Sequence, residues 1–195
     1  WRRAANWQGG LSFSAGIDKH NAPDAVACGF VPVTTCTDLL KLGGYGRLPE
    51  YLAAWAERMT HCDARNRNEF ILRAEGKAAE AARLTADEYI VESLRETIEL
   101  PPPLADVAFP SDDEVWNSPA GLKRLDALLD PATRERVRLA IFGAPPLIRS
   151  WDDLLPEDLA FAEMFFEDVV NRAAAMNHQA IAERTRSDPR YAREK

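Results

Sequence analysis

The chain is poor in cysteine: Cys28, Cys36 and Cys62 are the whole complement in 195 residues, an odd number with no Cys-x-x-Cys pair. That count excludes a disulfide framework and suits a reducing compartment, so a cytoplasmic location is expected. No stretch reaches the roughly 18 consecutive apolar residues of a membrane span, and no membrane partner is expected. A basic surplus is also missing, with 24 Lys and Arg against 31 Asp and Glu and a net charge of −7. Without it the cationic field that a phosphate backbone requires is absent, and nucleic acid is not an expected partner. No initiator Met precedes Trp1-Arg2-Arg3 and no apolar signal core follows, which reads as the cut edge of an internal fragment.

What is present suffices for one sizeable core or two small ones, since 46% of the residues are apolar. Composition changes near residue 47. Seven of the ten glycines fall in the first 46 residues, which carry a net charge of +1, and the remainder carries −8. Two regions are expected, residues 1–47 and 48–195.

In the first region Leu11-Ser12-Phe13-Ser14 alternates as a strand does, and Pro23–Cys28 reads as a short helix stopped by Gly29. Val31–Thr35 reads as a second strand, with Pro32 confined to its first position or to an edge. A strand, a short helix and a strand predict a small parallel βαβ element. The fold class expected is therefore mainly α with that element at the N-terminus.

The second region reads as helical. Leu48-Pro49-Glu50 opens a helix with Leu52, Trp55 and Met59 on one face, and Thr85-x-x-Glu88 resembles a capping box ahead of Ile90, Val91, Leu94 and Ile98, stopped by Pro101–Pro103. Ser111-x-x-Glu114 offers a second box. Ser118-Pro119 and Asp130-Pro131 each place a cap before a proline, predicting helices near 119–129 and 131–142. The longest pattern starts at Pro156, where Leu159, Ala162, Phe166, Val169, Ala173 and Met176 share a face that Phe161 and Phe165 widen. A core-facing helix is the expectation, with a partner-helix groove as the alternative.

Chemistry is most suggestive at the ends of the two expected strands, Ser14-Ala15-Gly16-Ile17 and Thr35-Cys36-Thr37. Small residues, a glycine and a hydroxyl can bring bare N–H donors to a phosphate, although ordinary turns read the same way. Gly43-Gly44-Tyr45-Gly46-Arg47 lacks the spacing of a P-loop or a dinucleotide loop, and a turn into the Pro49 helix accounts for its glycines. No Cys or His pair has metal-ligand spacing. His61 and Cys62 are adjacent and do not face each other on a helix. Asp112-Asp113 and Asp152-Asp153 are explained as helix-entry residues, so neither a catalytic pair nor a stand-alone hydrolase is expected.

The runs Leu11–Asn21, Pro32–Leu40 and Gly43–Arg47, with Ala174–Asn177 and Ser187–Tyr191, resemble the selenate reductase flavin/iron-sulfur subunit family, a glutamate-synthase-like group. In its wider relatives, the dihydropyrimidine and dihydroorotate dehydrogenases, a TIM-type barrel ends in two loops that hold the FMN phosphate. The resemblance implies that Ala15, Gly16 and Ile17 stand for one loop and Cys36 and Thr37 for the other. It further implies an NAD(P)H-linked oxidoreductase whose 4Fe-4S clusters and FAD lie elsewhere in the parent polypeptide, the partner expected for this chain. His178 stands where the family pattern has threonine. The other reading is an acidic helical interaction module without catalytic activity.

Overall fold

The described residues, 16–93, 119–142 and 156–188 of the computed structural model, are mostly helical. They form α1 (Ala22–Ala27), α2 (Leu48–His61), α3 (Arg67–Arg73), α4 (Ala78–Ser93), α5 (Pro119–Asp126), α6 (Pro131–Phe142) and α7 (Pro156–Ser187). Two 3-10 turns, Thr37–Leu40 and Gly44–Arg47, lie between α1 and α2. The chain divides into two compact units, one of Trp1–Lys77 with Ala173–Lys195 and one of Ala78–Arg172.

In the first unit, proline opens α1 and α2, because a first-turn N–H has no intrahelical acceptor and its loss costs nothing. Asn66 caps α3 by accepting from the Glu69 N–H at 2.9 Å, and the Glu69 carboxylate accepts in return from the Arg65 N–H at 2.9 Å. Behind α1 the chain turns at Gly29, whose φ is +78°. A Cβ there would lie 3.0 Å from the Cβ of Ala174, so only glycine lets the backbone approach. Asn177 is fully buried and donates both amide hydrogens, to the Ala27 carbonyl at 2.9 Å and the Ile71 carbonyl at 2.7 Å. Ile17, Ala25 and Tyr51 form a small core, against which Ala22, Phe30 and Val33 pack.

In the second unit α4 packs on α6. Ala81, Ala82 and Ala86 of α4 are fully buried, and their small side chains let a neighbouring element come close. Tyr89 meets Phe161 and Phe165 edge-on at 5.6 and 5.3 Å and donates to Asp168 at 2.7 Å. Asp130 caps α6: one carboxylate oxygen accepts from the Ala132 and Thr133 N–H groups, the other from the Thr133 hydroxyl. Ala162, Phe165, Phe166 and Val169 of α7 are buried, as the periodicity predicts for a core face.

The expected βαβ element is corrected. Leu11–Ser14 lies outside the described residues, and there is no β-strand among the described ones, only an isolated bridge at Val33. The Val31–Pro32 peptide is cis. A strand persists only if a neighbour takes its backbone groups. Here Pro32 has no N–H to give, and the Thr35 side chain, not a ladder, ties the segment to Ile17.

Two helical readings change as well. Thr85 is not a cap: α4 begins at Ala78, since the alanine-rich run ahead of Thr85 favours helix. Thr85 is fully buried, and its hydroxyl accepts from the Arg172 Nε at 2.9 Å. On α2 the buried residue is Tyr51, and Leu52 is 64% exposed. The Leu94 to Pro103 stretch and the Ser111 box lie outside the described residues.

Candidate functional site

The two loops singled out by the sequence meet through side chains of the first unit. The first is closed by local bonds. Asp18 Oδ1 accepts from the His20 and Asn21 N–H groups, and the Asn21 amide donates to the Gly16 carbonyl at 2.8 Å. Gly16 is exposed with φ +62°, and no atom of the described residues lies within 4 Å of the place a Cβ would take. Ile17 is buried in the small core, which leaves its carbonyl to be satisfied. The Thr35 hydroxyl does so at 3.0 Å.

Asp38 organises the second loop. It is 3% exposed, yet its carboxylate accepts from the Tyr51 hydroxyl at 2.6 Å and from Arg47 through two bonds of 3.1 Å. Lys41 adds a contact of 2.9 Å. Four donors fill the lone pairs of a carboxylate, which is what its burial requires. The Tyr51 hydrogen bond, then Lys41 and Arg47, holds the Asp38 carboxyl well below the usual carboxylate range. Burial, followed by the same Asp38 contact, pushes the Tyr51 hydroxyl up. Because the Tyr51 oxygen also lies 3.2 Å from the Thr35 hydroxyl, one chain of bonds runs from Asp38 through Tyr51 and Thr35 to the Ile17 carbonyl.

Of the residues expected to face a phosphate, Ala15 lies outside the described residues. Gly16, Cys36 and Thr37 are exposed, and Ile17 contributes backbone only. Thr37 opens a 3-10 turn directly before Asp38. The local donor set is an exposed hydroxyl beside a glycine backbone, with the cations Lys41 and Arg47 balanced by the carboxylates of Asp38 and Asp18. Sequence reading passed over Asp38, Tyr51 and Lys41, and it named Thr35 only as the strand end ahead of Cys36 and Thr37. Arg47, read from sequence as the end of a glycine-rich turn, pairs with Asp38. The available signal was an aspartate with Lys three and Arg nine residues ahead, which a search for ligands overlooks because the partners are internal.

A second polar cluster in this unit links Asp24 and Glu75 with Arg58 and Arg184 by contacts of 3.0 to 3.8 Å. Burial, together with Asp24 and Glu75, pushes the adjacent Cys28 thiol up to about 11, which makes it a poor nucleophile. His20 and His61 line a cleft of about 290 Å³ with Lys19, Glu57 and Arg58. Glu50 pairs with Lys19 and Asp24 with Arg58, so no cationic surplus gathers there. Cys62 ends α2 beside His61 as a half-buried free thiol. Among the described residues no group of three His, Cys, Asp or Glu side chains is placed to hold a metal, and no helix is long and apolar enough to cross a membrane.

Residues 4–89 match the family model described as "Oxidoreductase YgfK, N-terminal TIM-barrel domain". This segment is similar to part of an oxidoreductase. It contains the whole Asp38 cluster and both loops. No curated protein and no solved structure matches the chain.

Proposed function

We propose that the chain is part of a multidomain, NAD(P)H-linked flavin and iron–sulfur oxidoreductase, the finer reading that the selenate reductase-like motifs imply. In this reading the Ala15–Ile17 and Cys36–Thr37 loops face the phosphate of FMN, and the helices lead toward a 4Fe-4S domain in the same polypeptide. The observation that carries it is the junction of the two loops through Thr35, Tyr51 and Asp38, within a segment similar to an oxidoreductase domain. Bound flavin would supply hydride and electron transfer. The residues of this chain would hold its phosphate by backbone N–H groups near Gly16 and by the Thr37 hydroxyl. The test is flavin analysis of the full-length polypeptide that carries this segment. FMN released on denaturation, and reduced by Thr37→Ala, supports the reading. A polypeptide that folds without flavin overturns it.

One observation favours the second reading, an interaction module. Leu40, Leu42, Tyr45 and Leu52 are 81%, 99%, 79% and 64% exposed within thirteen residues, a density of bare apolar side chains typical of docking surfaces. If the full-length polypeptide folds without flavin and Leu42→Ser abolishes its association with other chains, that reading replaces the first.

A further inference from the structure

A carboxylate is an unexpected group to find behind a loop that receives an anion, and its burial says what it does. At 3% exposure Asp38 cannot touch a ligand, so whatever it contributes passes through the residues it holds. Those residues come from three places: Lys41 after the first 3-10 turn, Arg47 at the end of the second, and Tyr51 on α2. Through Tyr51 and Thr35 the same network reaches the Ile17 carbonyl, eighteen positions back from Thr35. Protons decide the direction. Tyr51 has one to give and its shortest contact is Asp38, which leaves Thr35 to donate to Ile17.

We propose that Asp38 is the positioning residue of the phosphate-facing edge, fixing Thr37 beside it and the Gly16–Ile17 turn across from it as one preset arrangement of donors. The proposal rests on the reading that this edge faces FMN. Its physical basis is preorganisation: two loops joined among the described residues by a polar hub and not by a ladder share the geometry that the hub sets, and an anion then binds without ordering either loop.

The experiment compares the full-length polypeptide with Asp38→Asn, Tyr51→Phe and Asn177→Ala variants. The readouts are FMN affinity after deflavination, the phosphorus NMR shift of bound FMN, and Tm. Asn177 serves as the control because its bonds run to Ala27 and Ile71 and not to the loops. Asp38→Asn is expected to weaken FMN about tenfold, because the loops that Asp38 holds lose their preset geometry, and to move the phosphorus resonance. Tyr51→Phe, which keeps the carboxylate, should do the same to a smaller extent and stands in if Asp38→Asn fails to fold. Asn177→Ala should lower Tm and leave both flavin readouts unchanged. Unaltered affinity in Asp38→Asn or Tyr51→Phe overturns this proposal and leaves the flavin reading standing. Equal flavin loss in Asn177→Ala also overturns it, since the effect would then be general destabilisation. Absence of flavin from the unmodified polypeptide overturns both.

Discussion

The amide of Asn177 lies 2.7 Å from the carbonyl of Ile71, 106 positions earlier in the chain, and it is fully buried there. A second bond to Ala27 makes this one side chain the donor for two elements of the first unit. Asn177→Ala leaves both carbonyls without their donor, and the expected cost is about 2–4 kcal/mol. Asn177→Asp should cost more at neutral pH, because a carboxylate would face two carbonyl oxygens. Denaturant unfolding monitored by circular dichroism measures both. Unchanged midpoints would show that water replaces the amide.

Gly29 and Gly16 both have positive φ, yet they should respond differently to alanine. At Gly16 the new Cβ meets none of the described residues, so only backbone strain of about 1 kcal/mol is expected. At Gly29 it would meet Ala174 as well, and the close contact adds about 1–3 kcal/mol. Thermal unfolding of the two variants should rank Gly29→Ala as the less stable.

Acid should act through Asp38. A carboxyl whose folded-state value is lowered contributes stability that is present above its unfolded value, about pH 4, and is lost as pH falls through the folded value. The unmodified chain is therefore expected to lose stability progressively below about pH 4. Asp38→Asn should be less stable at pH 7 and show a shallower acid slope. Parallel slopes from stability measured across pH would assign the acid response to other carboxylates.

The cysteines should separate by reactivity. Cys28, half-buried and with its thiol pushed up to about 11 by burial and by Asp24 and Glu75, should resist alkylation at pH 8, whereas exposed Cys36 should be modified readily. Peptide mapping after a short iodoacetamide pulse gives the order. Modification of Cys28 first would contradict the placement of α1.

In the second unit, Tyr89→Phe removes the 2.7 Å hydrogen bond to Asp168 and keeps the ring contacts with Phe161 and Phe165. The expected loss is about 1–3 kcal/mol for a bond to a charged acceptor. Denaturant titration reads it, and a loss near zero would mean that water serves Asp168 equally well.

Local chemistry made a good part of this protein legible in its sequence. The helices opening at Pro49, Pro131 and Pro156 start where a proline or its neighbouring cap says they should, and Asp130 caps α6 as expected. Each of these depends on residues within one turn of one another, so no distant partner can change the outcome. The buried face of α7 was readable for a related reason, because a periodicity sustained over several turns admits one core-facing side.

Tertiary structure alone decided the rest. Val31–Thr35 has the composition of a strand, but a strand needs a neighbour, and none is formed among the described residues. Thr85 has the pattern of a cap, and although the alanine-rich run ahead of it carries the helix through, the partner of its hydroxyl is Arg172, 87 positions away. Tyr51 and Leu52 are adjacent, and which of them is buried turned on Ile17 and Asp38, not on the pattern of α2. Sequence chemistry marked Gly16 and Thr37 as candidates for an anion site. Only the fold shows that a buried aspartate joins their loops, because a carboxylate can be buried only where several distant donors converge on it.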